Sequence, residues 1–175
     1  MSKTIYFELT TKSINKAIRE VKKYQKDILA KFETFKSRLA YEIINNAQIR
    51  FNESGVDDLI RGEGTRPAEV SMYVDERGDI TVIVAEGEDA VWCEFGAGVY
   101  HNTPAGTSPN PYGPEHGFTI GSYGQGKGAR RAWGFYDENG ELKVTHGTKA
   151  TMPLYNAVQE VARTAIATAK EVFGT

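Results

Sequence analysis

A long apolar stripe near the beginning of the chain places the strongest constraint on its fold. Between Ser13 and Asn52 the apolar residues recur at intervals of three, four or seven, which puts them on one face of an α-helix. They are Ile14, Ile18, Val21, Ile28, Phe32, Phe35, Leu39 and Ile43. Ser13 is the predicted N-cap and Gly55 the predicted stop. Because 40 residues far exceed an average helix, a break near Asn45–Asn46 is also predicted.

Alternation of apolar and polar residues predicts the strands. The segment TIYFELT, residues 4–10, predicts an N-terminal strand. Residues 70–87 predict a hairpin that turns at ERGD, and residues 130–147 predict a second hairpin that turns at Glu138-Asn139-Gly140. Asn-Gly between apolar runs is a strong hairpin signal. The sequence thus predicts two hairpins and one further strand.

The remaining segments complete an α+β fold. Residues 55–67 have the glycine and acidic content typical of a loop, and residues 88–96 predict a short helical turn. A final helix follows, with Thr151 as its predicted cap, Pro153 near its first position and Gly174 at its stop. We predict an antiparallel sheet of two hairpins plus the N-terminal strand, packed against the long N-terminal helix and the C-terminal helix. All of this forms a single domain of residues 1–175.

Composition narrows the class of protein. A chain of 175 residues that is 40% apolar can bury a core of its own. The single cysteine, Cys93, excludes an internal disulfide, and its apolar neighbours predict a buried, inert thiol. The histidines lack zinc-ligand spacing; they are His101, His116 and His146. The longest apolar run, residues 80–85, is too short to cross a bilayer. We therefore expect a soluble protein of a reducing compartment, with no membrane association, metal or cofactor.

Charge is segregated along the chain. Residues 1–50 hold eleven Lys/Arg and five Asp/Glu, a net charge of +6, whereas residues 51–100 hold three and twelve, a net charge of −9. Such blocks are either solvated faces or complementary surfaces that meet in an assembly. The basic helix carries no aromatic-basic alternation and no DNA-binding motif. We therefore predict no sequence-specific contact with nucleic acid.

Residues 96–128 differ from the rest in composition, with nine of the eighteen glycines and four of the six prolines. A segment of this length and kind is usually functional or disordered. The sequence predicts an extended flexible loop inserted between the two hairpins.

Within this loop, GSYGQGKG at 121–128 nearly matches a phosphate-binding loop. However, Gly128 replaces the final Ser or Thr, and a hairpin pattern follows where a helix is needed. We interpret it as a mobile loop with a basic tip formed by Lys127, Arg130 and Arg131. The alternative from another class is an enzyme that binds a nucleotide here. No catalytic constellation supports that alternative, so we predict that the protein is not an enzyme.

Three motifs occur in a fixed order. WCEFGAG at 92–98 contains Trp92, Glu94, Phe95, Gly96 and Gly98. RRAWGFYDENG at 130–140 contains Arg130, Trp133, Phe135, Asp137 and Gly140. GTKATMPLYNA at 147–157 contains Gly147, Ala150, Pro153, Leu154, Tyr155 and Ala157. Their order and spacing resemble the head–tail joining, or tail-completion, family of long-tailed bacteriophages. Two departures are Ala97, where Thr is commoner, and the shifted Met152-Pro153-Leu154.

The resemblance implies a structural virion protein of the phage neck, made in the cytoplasm of the bacterial host. Similar proteins form rings, so the expected partners are copies of the chain in a hexamer or, alternatively, a dodecamer. Head-completion proteins and tail-tube or terminator proteins are the expected neighbours, and a tail terminator or tail-tube partner is the alternative function. The basic helix would face the acidic residues 51–94 of the next subunit. Residues 96–128 would be disordered in the monomer and fold on assembly.

The first motif also has a physical interpretation as a structural elbow. Gly96 and Gly98 let the chain leave the core at an angle that a Cβ would forbid. Phe95 and Trp92 are expected to fill the space between the sheet and the final helix. Glu94, if buried, needs hydrogen-bond donors, and the amides of the following glycines are candidates.

Overall fold

A computed structural model describes residues 4–60, 63–102, 108–121, 127–137 and 139–174. The chain divides into two compact units, one of residues 1–42 with 160–175 and one of residues 43–159. The predicted α+β class is confirmed, because a long N-terminal helix, antiparallel strands and a C-terminal helix are all present. In the described part of the chain, no helix combines the length and apolar character needed to span a membrane.

The first helix, α1 (Thr11–Asn52), is continuous, so the predicted break near Asn45–Asn46 is wrong. The predicted cap, Ser13, is also wrong, because the hydroxyl of Thr10 accepts the amide hydrogen of Ser13 at 3.3 Å. Gly55 does not stop the helix directly but begins a strand. A stripe that stays in register over its full length favours one helix over two, since every turn places an apolar residue on the same face.

The predicted N-terminal strand is wrong. Residues 4–10 form no strand, and the chain there bends into α1, with the amide of Glu8 donating to the hydroxyl of Ser13 at 3.0 Å. Alternation alone does not make a strand, because a strand also needs a neighbouring edge to accept its backbone hydrogen bonds. Tyr6 and Leu9 remain largely exposed.

The first unit joins α1 to the end of the last helix, α3 (Pro153–Phe173). The ring of Phe173 contacts Phe32 and Phe35 edge-on, with centroid distances of 5.1 and 6.0 Å. The ammonium group of Lys31 donates to the carbonyl of Phe173 at 3.2 Å. Gly174 has a φ of 71° and its amide bonds the carbonyl of Lys170, which confirms the predicted end of this helix.

The second unit contains two antiparallel sheets. The four-stranded sheet has the order β2-β1-β6-β5 and the two-stranded sheet pairs β3 with β4. The strands are β1 (Gly55–Ile60), β2 (Glu63–Pro67), β3 (Ser71–Arg77), β4 (Ile80–Glu86), β5 (Trp133–Tyr136) and β6 (Leu142–Thr145). Both predicted hairpins are confirmed, as β3–β4 and β5–β6, although they lie in different sheets.

The predicted loop at 55–67 is wrong, since β1 and β2 form a third hairpin there. Strand β1 also pairs with β6, through Leu59 and Val144. The segment has too few apolar residues for a period-2 pattern. Its strands form because distant partners satisfy their backbone groups.

The core of the second unit collects small residues around one aromatic ring. Phe51 is fully buried at its centre. The other buried members are Ala47, Val56, Ala68, Ala90, Cys93 and Ala157. Burial, reinforced by the nearby Asp89 carboxylate, raises the pKa of Cys93 to about 11. The thiol therefore stays protonated at neutral pH, which agrees with the prediction of a buried, inert cysteine.

Candidate functional site

The three motifs meet at one place in the second unit, which we call the motif junction. It is formed where helix α2 (Glu88–Phe95) ends, where β5 begins, and where the chain passes from β6 into α3. Its members are Glu94, Gly96, Gly98, Trp133, Gly147, Pro153 and Tyr155. Ala97 and Thr148 pair as an isolated antiparallel bridge across it, with two 2.9 Å hydrogen bonds. Residues more than fifty positions apart thus share one framework.

Glu94 is the cap of α3. Its two carboxylate oxygens accept the amide hydrogens of Leu154 at 2.8 Å and Tyr155 at 2.9 Å. The side-chain amide of Asn110 donates to the same carboxylate at 2.8 Å. A negative charge at a helix N-terminus satisfies orphan amides and faces the positive end of the helix dipole. Glu94 is buried, and its partners are these three groups, not the predicted amides of the following glycines.

The predicted cap, Thr151, has another role. Its hydroxyl lies 2.6 Å from that of Ser54 and 3.4 Å from the carbonyl oxygen of Cys93, which ties it to the chain after α1 and to α2. Pro153 is the first residue of α3, as predicted. Met152 precedes it with a φ of 52°, an uncommon value for a residue with a side chain.

We expect Glu94 to make stability depend on pH. Burial raises the pKa of its carboxyl above the ordinary value of 4.5, against the opposing effect of its three hydrogen bonds. A raised pKa means that the folded protein holds this proton more tightly than the unfolded chain. The resulting stability is complete below pH 4.5 and is lost as the pH rises through the folded-state pKa.

The measurement is the free energy of unfolding of the wild type minus that of Glu94→Gln, which cannot titrate, from pH 4 to pH 8. This difference is expected to fall with rising pH. A difference that rises with pH would show that the hydrogen bonds and helix dipole outweigh burial.

Three glycines of the motifs allow the backbones to approach closely. Gly96, Gly98 and Gly147 have φ values of 80°, 75° and 87°. A Cβ on Gly98 would lie 2.7 Å from the ring of Trp133, and a Cβ on Gly147 would lie 2.1 Å from the carbonyl oxygen of Ala97. These positions require glycine for both conformation and space, which supports the interpretation of the first motif as an elbow.

Asn102 completes the junction and carries no sequence signal that identifies it. It is buried, and its side-chain NH₂ lies within 2.7–3.2 Å of the carbonyl oxygens of Ala97, Gly98 and Thr148. Its side-chain oxygen accepts the amide hydrogen of Ala150 at 2.9 Å. One asparagine within a glycine-rich segment therefore satisfies backbone groups on both sides of the junction.

The described part of the segment 96–128 packs against the rest of the second unit. The hydroxyl of Ser108 donates to the carbonyl of Phe95 at 2.7 Å, and Asn110 is buried against Glu94. The ring of Phe95 stacks on Phe118 at a centroid distance of 4.3 Å. These contacts hold the described part of the segment in place, with Phe95 packed on it. Disorder of the arm before assembly stays a prediction. The parts of this prediction that fall on residues 103–107 and 122–126 lie outside the described residues.

Asp137 organises the turn of the β5–β6 hairpin. One carboxylate oxygen accepts the amide hydrogens of Asn139 at 2.9 Å and Glu141 at 2.8 Å. The other lies 3.2 Å from the ammonium group of Lys143. The hydrogen bond from Glu141, aided by Lys143, lowers the pKa of this carboxyl. The motif aspartate is therefore a turn residue. Tyr155, on α3, instead contacts Tyr112 edge-on at 6.0 Å.

A cleft of about 540 Å³ lies beside the junction in the second unit. Trp92 and Trp133 line it, together with Phe135 and Tyr136. One of its carboxylates, Asp89, accepts two hydrogen bonds from Arg66, at 2.5 and 3.0 Å. Trp92 thus lines a cleft and is not part of the core cluster, contrary to its predicted role.

Asp57, on the wall of this cleft, bonds both the ring and the backbone amide of His146, at 2.9 and 3.1 Å. The ring of His101 lies 3.8 Å from the same oxygen. A carboxylate beside an imidazole can orient a base. Here the hydrogen bond from the backbone amide of His146 to Asp57 also ties β1 to the end of β6. Among the described residues, no cluster of histidine, cysteine and carboxylate side chains is arranged to hold a metal ion.

The predicted basic tip is described only in part, because the side chain of Lys127 lies outside the described residues. The backbone of Lys127 begins a three-residue 3₁₀ turn, Lys127–Ala129, and β5 follows after a short link. Arg130 is exposed, whereas the guanidinium of Arg131 lies 5.1 Å from the centre of the Tyr100 ring. A phosphate-binding loop needs an α-helix at this point, and the chain continues into a strand.

Of the motif residues, Glu94, Gly98, Trp133 and Gly147 make the contacts that hold α2, β5 and the start of α3 together. No protein-family model, curated protein or solved structure matches the chain. The resemblance to the tail-completion family rests on the three motifs.

Proposed function

We propose that this chain is a structural protein of the neck of a long-tailed bacteriophage, where a ring of its copies joins head to tail. The observation that carries the proposal is the motif junction. All three motifs of the resemblance converge on it, and Glu94, Gly98 and Gly147 each have a contact there that explains the residue type. A rigid framework of this kind suits a protein whose work is to present surfaces to neighbours.

The charged surfaces support the assembly. A ring of identical chains needs a contact in which two different surfaces of the same chain meet. The basic residues lie on α1, and acidic residues lie on the hairpins and on α2. Opposite charge on two surfaces favours contact between copies and opposes contact between like surfaces. Sixfold symmetry is the proposed state, with twelvefold as the alternative.

We expect the purified chain to form a discrete ring whose mass is six or twelve times 19.4 kDa. The ring should dissociate as salt is raised, because screening weakens contacts between exposed charges. Mass photometry and light scattering over a range of protein and salt concentrations measure this, and electron microscopy counts the subunits. A continuous series of aggregates, with no closed species, would contradict the proposal.

The joining function needs a separate test. Inactivation of the gene in its phage should leave DNA-filled heads and separate tails, which purified protein then joins. Complete tailed particles in the absence of the chain would overturn the proposal. A gene position between head-closure and tube genes agrees with the neck, whereas a position beyond the tube genes favours a tail terminator.

A further inference from the structure

We propose that the first half of α1 in one copy docks on the outer face of the β3–β4 hairpin in a second copy. This rests on the proposed ring and names the contact that would build it. The surface on the helix, here the α1 stripe, consists of Ile14, Ile18 and Val21. The surface on the hairpin, here the hairpin face, consists of Tyr73, Ile80, Val82 and Val84.

The α1 stripe is exposed. Ile18 and Val21 retain 47% and 52% of their accessible surface. The described contacts that join α1 to α3 begin at Lys31, ten residues after the end of the α1 stripe at Val21. At 1.5 Å per residue, the α1 stripe extends for about 10 Å from Ile14 to Val21. Exposed apolar side chains grouped on one helix face are typical of an interaction surface.

The α1 stripe belongs to a longer series of apolar positions on α1 with a strict spacing. Positions 14, 18, 21, 25, 28, 32, 35 and 39 alternate steps of four and three, and only Gln25 among them is polar. This is the pattern of a helix face that packs along its whole length. Its C-terminal part is used, because Phe32 and Phe35 contact Phe173. The N-terminal part repeats the same pattern and needs a partner of its own.

The β3–β4 hairpin has apolar residues on both faces. Met72 and Ala85 are directly paired and pack against the core of the second unit. The pairs Tyr73–Val84, Asp75–Val82 and Arg77–Ile80 point to the opposite face. There Tyr73 and Ile80 remain 45% and 65% exposed. A near-continuous apolar strand such as β4 is typical of one covered on both faces, and a two-stranded sheet gains stability from such cover.

Charge selects which surfaces pair. Residues 11–30 of α1 carry six Lys/Arg and two Asp/Glu, a net charge of +4. Residues 71–88 carry one Arg and five Asp/Glu, a net charge of −4. Two α1 stripes would therefore bring like charges together, and so would two hairpin faces. A helix on a hairpin is the complementary pairing, and it is heterologous, as ring closure requires.

The experiment uses charge reversal in the full chain. The double variant Lys22→Glu with Lys26→Glu changes the helix, and Asp79→Lys with Glu86→Lys changes the hairpin. All four side chains are exposed, so both variants should fold, which circular dichroism checks. Each variant alone is expected to weaken self-association at least tenfold. An equimolar mixture of the two is expected to recover association, because each supplies the surface that complements the other.

The matched control is Lys149→Glu with Arg163→Glu, an equal change of charge at exposed residues outside both surfaces. It should associate like the wild type. Equal weakening by the control and the helix variant, with no recovery on mixing, would overturn the proposed contact. If rings form and heads join tails in that case, the proposed function stands and only the contact is wrong.

Cysteine pairing tests the contact without altering charge. The native Cys93 is fully buried, so an introduced surface cysteine is the reactive one. Val21→Cys in one copy and Tyr73→Cys in another should form an intermolecular disulfide on mixing and oxidation. Crosslinking of Val21→Cys to itself in preference to Tyr73→Cys would instead show pairing between helices and overturn the proposal.

Discussion

Gly147→Ala is expected to lower the free energy of unfolding by about 4 kcal/mol or more, a loss comparable to the whole stability of a small domain. The added Cβ would lie 2.1 Å from the carbonyl oxygen of Ala97 and 2.8 Å from its carbonyl carbon. Both atoms belong to backbone that is fixed by the Ala97–Thr148 bridge. The backbone of the alanine would also have to adopt a φ of 87°, which alone costs about 1–3 kcal/mol.

The matched control is Gly140→Ala in the β5–β6 turn. Gly140 has a similar φ of 76°, but no heavy atom lies within 4 Å of its added Cβ. We therefore expect a loss of only about 1–2 kcal/mol, from backbone conformation alone. Denaturant unfolding, followed by tryptophan fluorescence, measures both variants. Equal losses would show that φ, and not the close approach of the two backbones, makes Gly147 necessary.

Glu94→Ala is expected to destabilise the protein by about 3–5 kcal/mol. The substitution leaves the amides of Leu154 and Tyr155 and the side chain of Asn110 without their acceptor. Each buried donor that loses its partner costs about 1–3 kcal/mol. The beginning of α3 would also lose a charge that favours the helix dipole.

Two variants separate these contributions. Glu94→Gln keeps one carbonyl acceptor of nearly the same size and is expected to lose about half as much stability as Glu94→Ala. Glu88→Gln removes an exposed carboxylate from the first residue of α2, the helix that also carries Glu94. It is expected to change stability by less than about 1 kcal/mol. Equal effects of Glu94→Ala and Glu88→Gln, measured by denaturant unfolding, would refute the role of Glu94 as the cap of α3.

The local parts of the fold were predictable from the residues alone. The apolar face of α1, the Asn139-Gly140 turn and the stop at Gly174 each depend on groups within a few positions of one another. The alternation that predicts β3 and β4 is equally local. Patterns of this kind indicate an element wherever its stability comes mainly from its own periodicity or turn chemistry. The same reasoning failed at residues 4–10, where the pattern is present and a strand partner is not.

The sequence predicted which residues belong to the candidate site but not which groups they contact. The motifs named Glu94, Gly98 and Gly147, and the need of Glu94 for hydrogen-bond donors, if buried, was predictable from its charge. The identity of its donors was not, because they lie sixty positions away on α3. Asn102 was missed altogether, since a single polar side chain in a glycine-rich segment has no period and no neighbour that identifies its role.

The sequence by itself therefore determined the helices, two hairpins, the inert Cys93 and the need for glycine at the elbow. Only the tertiary structure decided that residues 55–67 are strands, that Glu94 caps α3 and that Asn102 joins the two sides of the junction. The physical reason is the range of the interactions. Backbone dihedral preferences and side-chain periodicity act over a few residues, whereas buried hydrogen-bonding groups take whichever partner the folded chain brings to them.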